Sequence, residues 1–182
     1  EIISFKTEKG LLLKFGEIII DEDPEIITGF NIDGFDTPYL FKRAEELEIE
    51  DIFNFLSRMK GFKSEIKEKM VKSPTNELIK KEYVEIPGRI QMDLLPLIQK
   101  GYNLESYKLD SVCEHFLGER KVDMDYKHLF KLARGSSADV AKVAVYCVQD
   151  CALLIALIIR LQIISANVEM SRVCFTHMEA QL

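Results

Sequence analysis

Two carboxylates stand where the sequence pattern could give them chemistry. Tyr146 and Asp150 are four residues apart in a long helical stretch, so their side chains share one face. Val145, Val148, Leu153 and Leu154 surround Asp150 with apolar neighbours. A carboxylate placed there must be paired, neutralised or bound to a cation, because burying it bare is costly. A Tyr hydroxyl one turn away is suited to orient a metal-bound water. The competing reading is a solvated surface stripe. The second carboxylate, Asp36, falls where a short β-branched run turns into a helix. That position meets the positive end of a helix dipole at the strand's C-terminal edge, the usual ligand side of an open α/β sheet. Taken by itself, Asp36 is equally a plain N-cap worth ~1 kcal/mol, and composition favours the cap.

Other site chemistries find little support. Cys147 and Cys151 are four apart, but a zinc site needs two further ligands, and His115, His128 and His177 show no metal spacing. These cysteines read as small apolar packing residues. Three scattered histidines define no Ser-His-Asp order, and no Gly-rich phosphate loop is present.

The elements that must position these residues follow from periodicity. Glu8–Ile20 has helical spacing, and Asp21-Glu22-Asp23-Pro24 breaks it. Ile26–Ile32 suits one buried strand. Gly34 permits a turn, and Asp36-Thr37-Pro38 reads as a capping side chain before a Pro at the first helical position. The helix continues over Tyr39–Leu47, with Leu40, Ala44 and Leu47 on one face. Arg89–Leu95 reads as a second strand closed by Pro96, and Ser106–Leu117 as a short helix packed by Leu109, Val112 and Phe116. Ser136-Ser137-Ala138-Asp139 starts the longest helix, which runs to about Gln162. Mixed strands and helices make the fold class α/β.

Composition narrows the function classes. The 182 residues are 47% hydrophobic and 30% charged, as expected of about one globular domain. A net charge of −6 argues against coating nucleic acid by bulk electrostatics. Four cysteines without paired spacing make no disulfide framework, so a reducing compartment fits. The charge is uneven: −9 over residues 1–57, +5 over 58–81 and −2 over the rest. The basic segment contains Gly61, Ser64, Ser73, Pro74 and Asn76, and reads as a loop-rich insertion solvated at the surface. With neither an initiator Met nor a signal core, the chain reads as an internal piece. Val143–Ile164 is interrupted by Gln149, Asp150 and Arg160, and its longest clean run, Cys151–Ile159, is short of the ~20 residues a bilayer needs. No membrane span is expected.

Longer motifs tie these features together. The run Asp23-Pro24-Glu25-Ile26-Ile27-Thr28-Gly29-Phe30-Asn31-Ile32-Asp33-Gly34-Phe35-Asp36-Thr37-Pro38-Tyr39-Leu40 resembles the second exonuclease motif of family B DNA polymerases, Asn-x-x-x-Phe-Asp. Tyr146-Cys147-Val148-Gln149-Asp150 resembles the third, Tyr-x-x-x-Asp. Between them, Gly88-Arg89-Ile90-Gln91-Met92-Asp93, Tyr107-Lys108-Leu109-Asp110-Ser111-Val112 and Phe116-Leu117-Gly118 are similar to linking segments of the delta-like branch, found in cells and large DNA viruses. Val168-Glu169-Met170-Ser171-Arg172-Val173 resembles the passage into the polymerase palm.

The resemblance implies a ribonuclease-H-like 3′–5′ exonuclease domain, a mixed sheet flanked by helices, truncated at its N-terminus. It places that domain at residues 1–164, with a basic insertion at 58–81, and the start of the palm linker at 165–182. It implies proofreading of primer 3′ ends during replication by two-metal phosphodiester hydrolysis, with Mg2+ or Mn2+ as the ions. Asp36 and Asp150 become metal ligands, and Tyr146 orients the attacking water. Asn31 and Phe35 shape the site around the terminal nucleotide. The family's first motif, Asp-x-Glu on a strand, is not found in residues 1–22, and neither polymerase motif, Ser-Leu-Tyr-Pro-Ser or Tyr-Gly-Asp-Thr-Asp-Ser, is present. The stretch alone is therefore expected neither to proofread nor to polymerise. Implied partners are DNA, as single-stranded primer end and primer-template, with a sliding clamp or accessory subunits acting through the full-length protein, in the nucleus or a viral replication compartment. The segment between the motifs often carries a hairpin that parts primer from template, which would bring residues 58–81 to DNA. The alternative is a free-standing or inactivated exonuclease-like domain used as a DNA-binding scaffold.

Overall fold

Thr7 opens the first helix. Its hydroxyl accepts the Gly10 N–H at 3.2 Å, and α1 covers Glu8–Glu22. Such a cap satisfies an amide that the first helical turn leaves without a partner. Asp23 then takes the left-handed conformation (φ 42°) and ends the helix where the acidic break is expected. The computed structural model describes residues 3–72, 78–118 and 125–182. The chain divides into two compact units, Ile3–Pro96 and Leu97–Leu182.

In the first unit, β1 (Ile26–Gly29) pairs in parallel with β4 (Ile90–Asp93), in a register that sets Gly29 opposite Asp93. β1 is shorter than the expected strand because a π-helical turn, Ile32–Asp36, follows it. α2 (Thr37–Glu46) continues from that turn, with Pro38 in its first turn, where a missing N–H costs nothing. Phe41 and Ala44 form its buried face, and Leu40 and Leu47 pack beside them. A short α3 (Glu50–Phe53) follows.

The basic segment is not the loop that its composition suggests. It contributes to an antiparallel hairpin of β2 (Glu65–Lys72) and β3 (Leu78–Glu85), with Glu65 opposite Glu85. Lys67 pairs with Glu85, Lys80 with Glu68 at 2.5 Å, and Lys42 of α2 with Glu82 at 2.6 Å. Charges facing one another across strands hide the polar–apolar alternation by which a strand is read. Of the expected turn residues, Ser73, Pro74 and Asn76 lie outside the described residues.

Leu12, Phe41, Ala44, Ile49, Phe53, Leu56, Val84 and Ile86 form the core of this unit, joining α1, α2, α3 and the base of the hairpin. Phe41 and Phe53 meet edge to face with centroids 5.3 Å apart. Arg89 is buried beside β4. Its guanidinium donates to the Leu56 and Pro24 carbonyls (2.7 and 2.6 Å) and to Asp23 (2.9 Å), tying the end of α1 to the start of β1. A buried cation is tolerable only with such a full set of acceptors.

Pro96 does not close a strand. β4 stops at Asp93 and α4 (Leu94–Gly101) begins at once, with Pro96 in its first turn. In the second unit, α5 (Leu109–Leu117) ends at Gly118 in the left-handed region (φ 72°), and buries Val112 and Cys113. α6 (Tyr126–Ala133) adds a helix beyond those read from the sequence. α7 (Ser137–Arg160) packs against α5 and α6, and it starts in a capping box between Ser136 and Asp139, as that motif requires. Its inward stripe is Leu153 and Leu157. Gln162, at φ 50°, turns the chain into α8 (Ile163–Cys174), and a 3-10 turn, Met178–Gln181, follows. The expected boundary at 164/165 therefore falls within the first turn of α8.

Three further expectations change. Among the described residues the strands form two separate two-stranded sheets, not one mixed sheet flanked by helices. Cys147 and Cys151 are exposed on the outer side of α7 and do not serve as packing residues, whereas Cys113 is buried. By length and composition alone, α7 is long and apolar enough to cross a membrane, contrary to the reading from its interrupted run. Asp150 sits at its midpoint, where a carboxylate in a bilayer costs several kcal/mol by rough insertion scales.

Candidate active site

Each motif can be followed from local backbone to side chain. Asn31, just after β1, has φ 64°, a conformation Asn tolerates better than most residues. A Cβ on Gly34 would lie 2.4 Å from Asn31 Oδ1, and one on Gly29 would lie 2.2 Å from Ile32 Cγ2. Close approach to the branched Ile32 side chain therefore demands glycine at position 29, whereas at position 34 the Asn31 amide would have to move. Phe35 is 64% exposed, and its ring stacks on Tyr39 with centroids 5.9 Å apart and planes within 7°. The two aromatic residues, with Asp33, Pro38, Lys42 and Lys80, line an open groove of about 560 Å³ between α2 and the hairpin.

Asp36 differs from the capping residue that its sequence context favours. It occupies the N-cap position of α2 with right-handed backbone angles, and its side chain makes no capping hydrogen bond. The π-helical turn explains this, because it carries helical geometry straight through Asp36, whereas a capping side chain needs an extended residue. The carboxylate is thus left available to a ligand. Partial burial raises the pKa of Asp36 above the usual Asp range, and the nearby Asp93 charge adds to this, while Asp36's own backbone amide opposes it. A carboxyl with a raised folded pKa favours the fold when protonated. That contribution is complete below the ordinary Asp range and is lost as pH rises through the raised value. A cation bound beside Asp36 would favour the ionised form that burial disfavours.

Asp93 is the site residue that sequence reasoning passed over. It is 6% exposed, and its carboxylate accepts three backbone amides: Asn31 at 2.7 Å, Leu95 at 3.0 Å and Asp33 at 3.3 Å. The signal was available, since Asp93 is an acid at a strand's C-terminal end, as Asp36 is near one.

Tyr146 and Asp150 lie in the second unit, one turn apart on α7 and both half-buried. Asp150 continues the inward stripe of Leu153 and Leu157, whereas Val145 and Val148, each 68% exposed, face outward. The two therefore share a face as expected, with Asp150 flanked on that face by leucine.

The donor chemistry fits a cation only in part. Asp36 offers an uncommitted carboxylate, but the described residues contain no group of three or more His, Cys, Asp or Glu placed to hold a metal ion.

The first unit thus carries a parallel strand pair with an acid beyond its C-terminal edge, and the second carries a Tyr-x-x-x-Asp helix. Comparison with known proteins makes this specific: residues 1–112 match the exonuclease domain of DNA polymerase family B, and the chain belongs to that family. It is 38% identical to the DNA polymerase delta catalytic subunit of Mesocricetus auratus over 95% of its length, and 39% identical to that of Oryza sativa subsp. japonica over the same share. It is 35% identical to a DNA polymerase of Pyramimonas orientalis virus over 96% of its length. The chain spans only 16–19% of these relatives.

Proposed function

We propose that the chain is the 3′–5′ exonuclease region of a DNA-directed DNA polymerase, removing mispaired nucleotides from primer 3′ ends. The observation that carries this is Asp36. It stands at the edge of a parallel strand pair, is released from helix capping, and bears a carboxylate whose ionisation is disfavoured without a cation.

Asp36 and Asp150 would hold Mg2+ or Mn2+, together with acids of the family's first motif. Two divalent ions, when bound, supply a hydroxide nucleophile and offset charge on the leaving oxygen. This chain's own residues do the positioning. Tyr146 orients the attacking water by its hydroxyl. The exposed Phe35 ring offers a face to the terminal base, and Asn31 frames the nucleotide beside it. Water oxygen bonds to phosphorus, the phosphorus–O3′ bond breaks, and a nucleoside 5′-monophosphate leaves a new 3′-hydroxyl.

The domain limits 1–164 and 165–182, a ribonuclease-H-like sheet completed by further strands, and a clamp or accessory subunits reached through the full-length protein belong to the same proposal. So does action in a nucleus or viral replication compartment. The hairpin is the element proposed to meet DNA from the 58–81 segment. Its cations are fewer than their count implies, because Lys67 and Lys80 already face carboxylates.

The test is excision by the full-length protein on a primer-template with a mismatched 3′ end. The expected result is release of the terminal 5′-monophosphate, dependent on a divalent ion and faster than from a matched end. DNA binding without excision would instead favour an inactivated exonuclease-like scaffold.

A further inference from the structure

We infer that Asp93 is a positioning residue of this site: its carboxylate latches the turn that carries Asn31 and Asp36 to the end of β4. The inference rests on the proposed exonuclease reading for its consequence, but on hydrogen-bond geometry for its substance.

The N-cap role accounts for only one of its three bonds. Oδ1 accepts the Leu95 N–H at 3.0 Å, two residues along, as a helix cap does. The same oxygen accepts the Asn31 N–H at 2.7 Å, and Oδ2 accepts the Asp33 N–H at 3.3 Å. Those partners are 62 and 60 residues away in sequence. Gly29 stands opposite Asp93 in the parallel register, so the carboxylate sits where both strands end and gathers the amides that follow each. The Thr28 hydroxyl adds a fourth tie by donating to the Met92 carbonyl at 2.8 Å.

Asn31 holds a left-handed backbone, and the π-helical turn from Ile32 to Asp36 is a rare geometry. Conformations of this kind persist when surrounding contacts over-determine them. Asp93 supplies two such contacts, at Asn31 and Asp33. Both of its oxygens face backbone amides and it is nearly inaccessible, so it is not placed as a metal ligand. Asp36 keeps solvent access and has no cap bond, so the two acids divide the work between latch and ligand.

The test uses Asp93→Ala and Asp93→Asn in the full-length polymerase, with an unfolding midpoint to establish that each is folded. Amide hydrogen exchange in a metal-free buffer reads the latch without any activity. In Asp93→Ala, exchange across residues 30–36 is expected to accelerate at least tenfold, because a lost bond of roughly 1.4 kcal/mol corresponds to that factor. Excision of single-stranded DNA should fall about 10²-fold in kcat, with a much smaller change in KM, as displacement of a catalytic group by ~1 Å predicts. Asp93→Asn keeps an acceptor for Asn31 and Leu95, so its kcat should recover to within about tenfold of the wild type. Unchanged exchange and kcat in Asp93→Ala would overturn the latch. Asp93→Asn as inactive as Asp93→Ala, with exchange near that of the wild type, would make Asp93 a ligand and overturn it equally. If Asp36→Ala leaves excision intact, the exonuclease reading fails, and the exchange result alone decides for or against the latch.

Discussion

On the proposed exonuclease function, Asp36→Ala in the full-length protein is expected to lower excision of a mismatched primer end by about 10²–10³-fold, as loss of ~3–4 kcal/mol of transition-state stabilisation at a metal site implies. Loss of fold is not the cause, because Asp36 caps nothing: its side chain makes no hydrogen bond to α2. Partial burial, with Asp93 adding to it, disfavours the ionised carboxylate in the fold, so the variant should unfold no earlier than the wild type. Activity and stability therefore separate, which distinguishes a ligand from a structural acid. A steady-state excision assay with a parallel unfolding curve checks both halves. Equal loss of activity and stability would assign Asp36 to the helix after all.

Phe53→Ala is expected to act in the opposite manner. Phe53 is 2% exposed, meets Phe41 edge to face, and lies in van der Waals reach of α1, where a Cβ on Gly16 would stand 3.7 Å from its ring. Truncation of such a ring costs about 3–5 kcal/mol through lost burial and the cavity left behind. For a unit of this size the midpoint should drop by about 12 °C or more, at roughly 4–8 °C per kcal/mol. Thermal proteolysis of the full-length protein, scored for cleavage within residues 3–96, measures it. A shift below about 4 °C, less than 1 kcal/mol on the same scale, would mean that this core does not hold the unit together.

The starts of α1, α2 and α7 were legible because their signals are local, whereas α3, α4, α6 and α8 were not read. Thr7, the Asp36–Pro38 junction and the Ser136/Asp139 box mark helix starts in the chain itself, and each start is found within a residue or two. The hairpin was not, because its strands carry lysine and glutamate where alternation would show, and their pairing emerges only when the two are set side by side. The parallel pairing of β1 with β4 joins segments more than sixty residues apart, which no local pattern encodes.

The site divides in the same way. Tyr146 and Asp150 follow from helical spacing, and their shared face is as expected. Asp36 was found by position, but its freedom from capping depends on a π-helical turn that no sequence signal announces. Asp93 emerged only from its bonds to Asn31 and Asp33, which exist because two strands end together. The acids with partners distant in sequence were therefore the hardest to assign.

The most direct test of the proposal that Asp36 and Asp150 serve one nuclease site is a double-mutant cycle on excision by the full-length protein. Asp36→Ala, Asp150→Ala and the double variant are compared for kcat on one mismatched primer-template. Residues that act as a unit are grossly non-additive, so the double variant should be no more than a few-fold slower than the weaker single. Losses that multiply, or an Asp150→Ala enzyme that excises at the wild-type rate, would contradict a shared site.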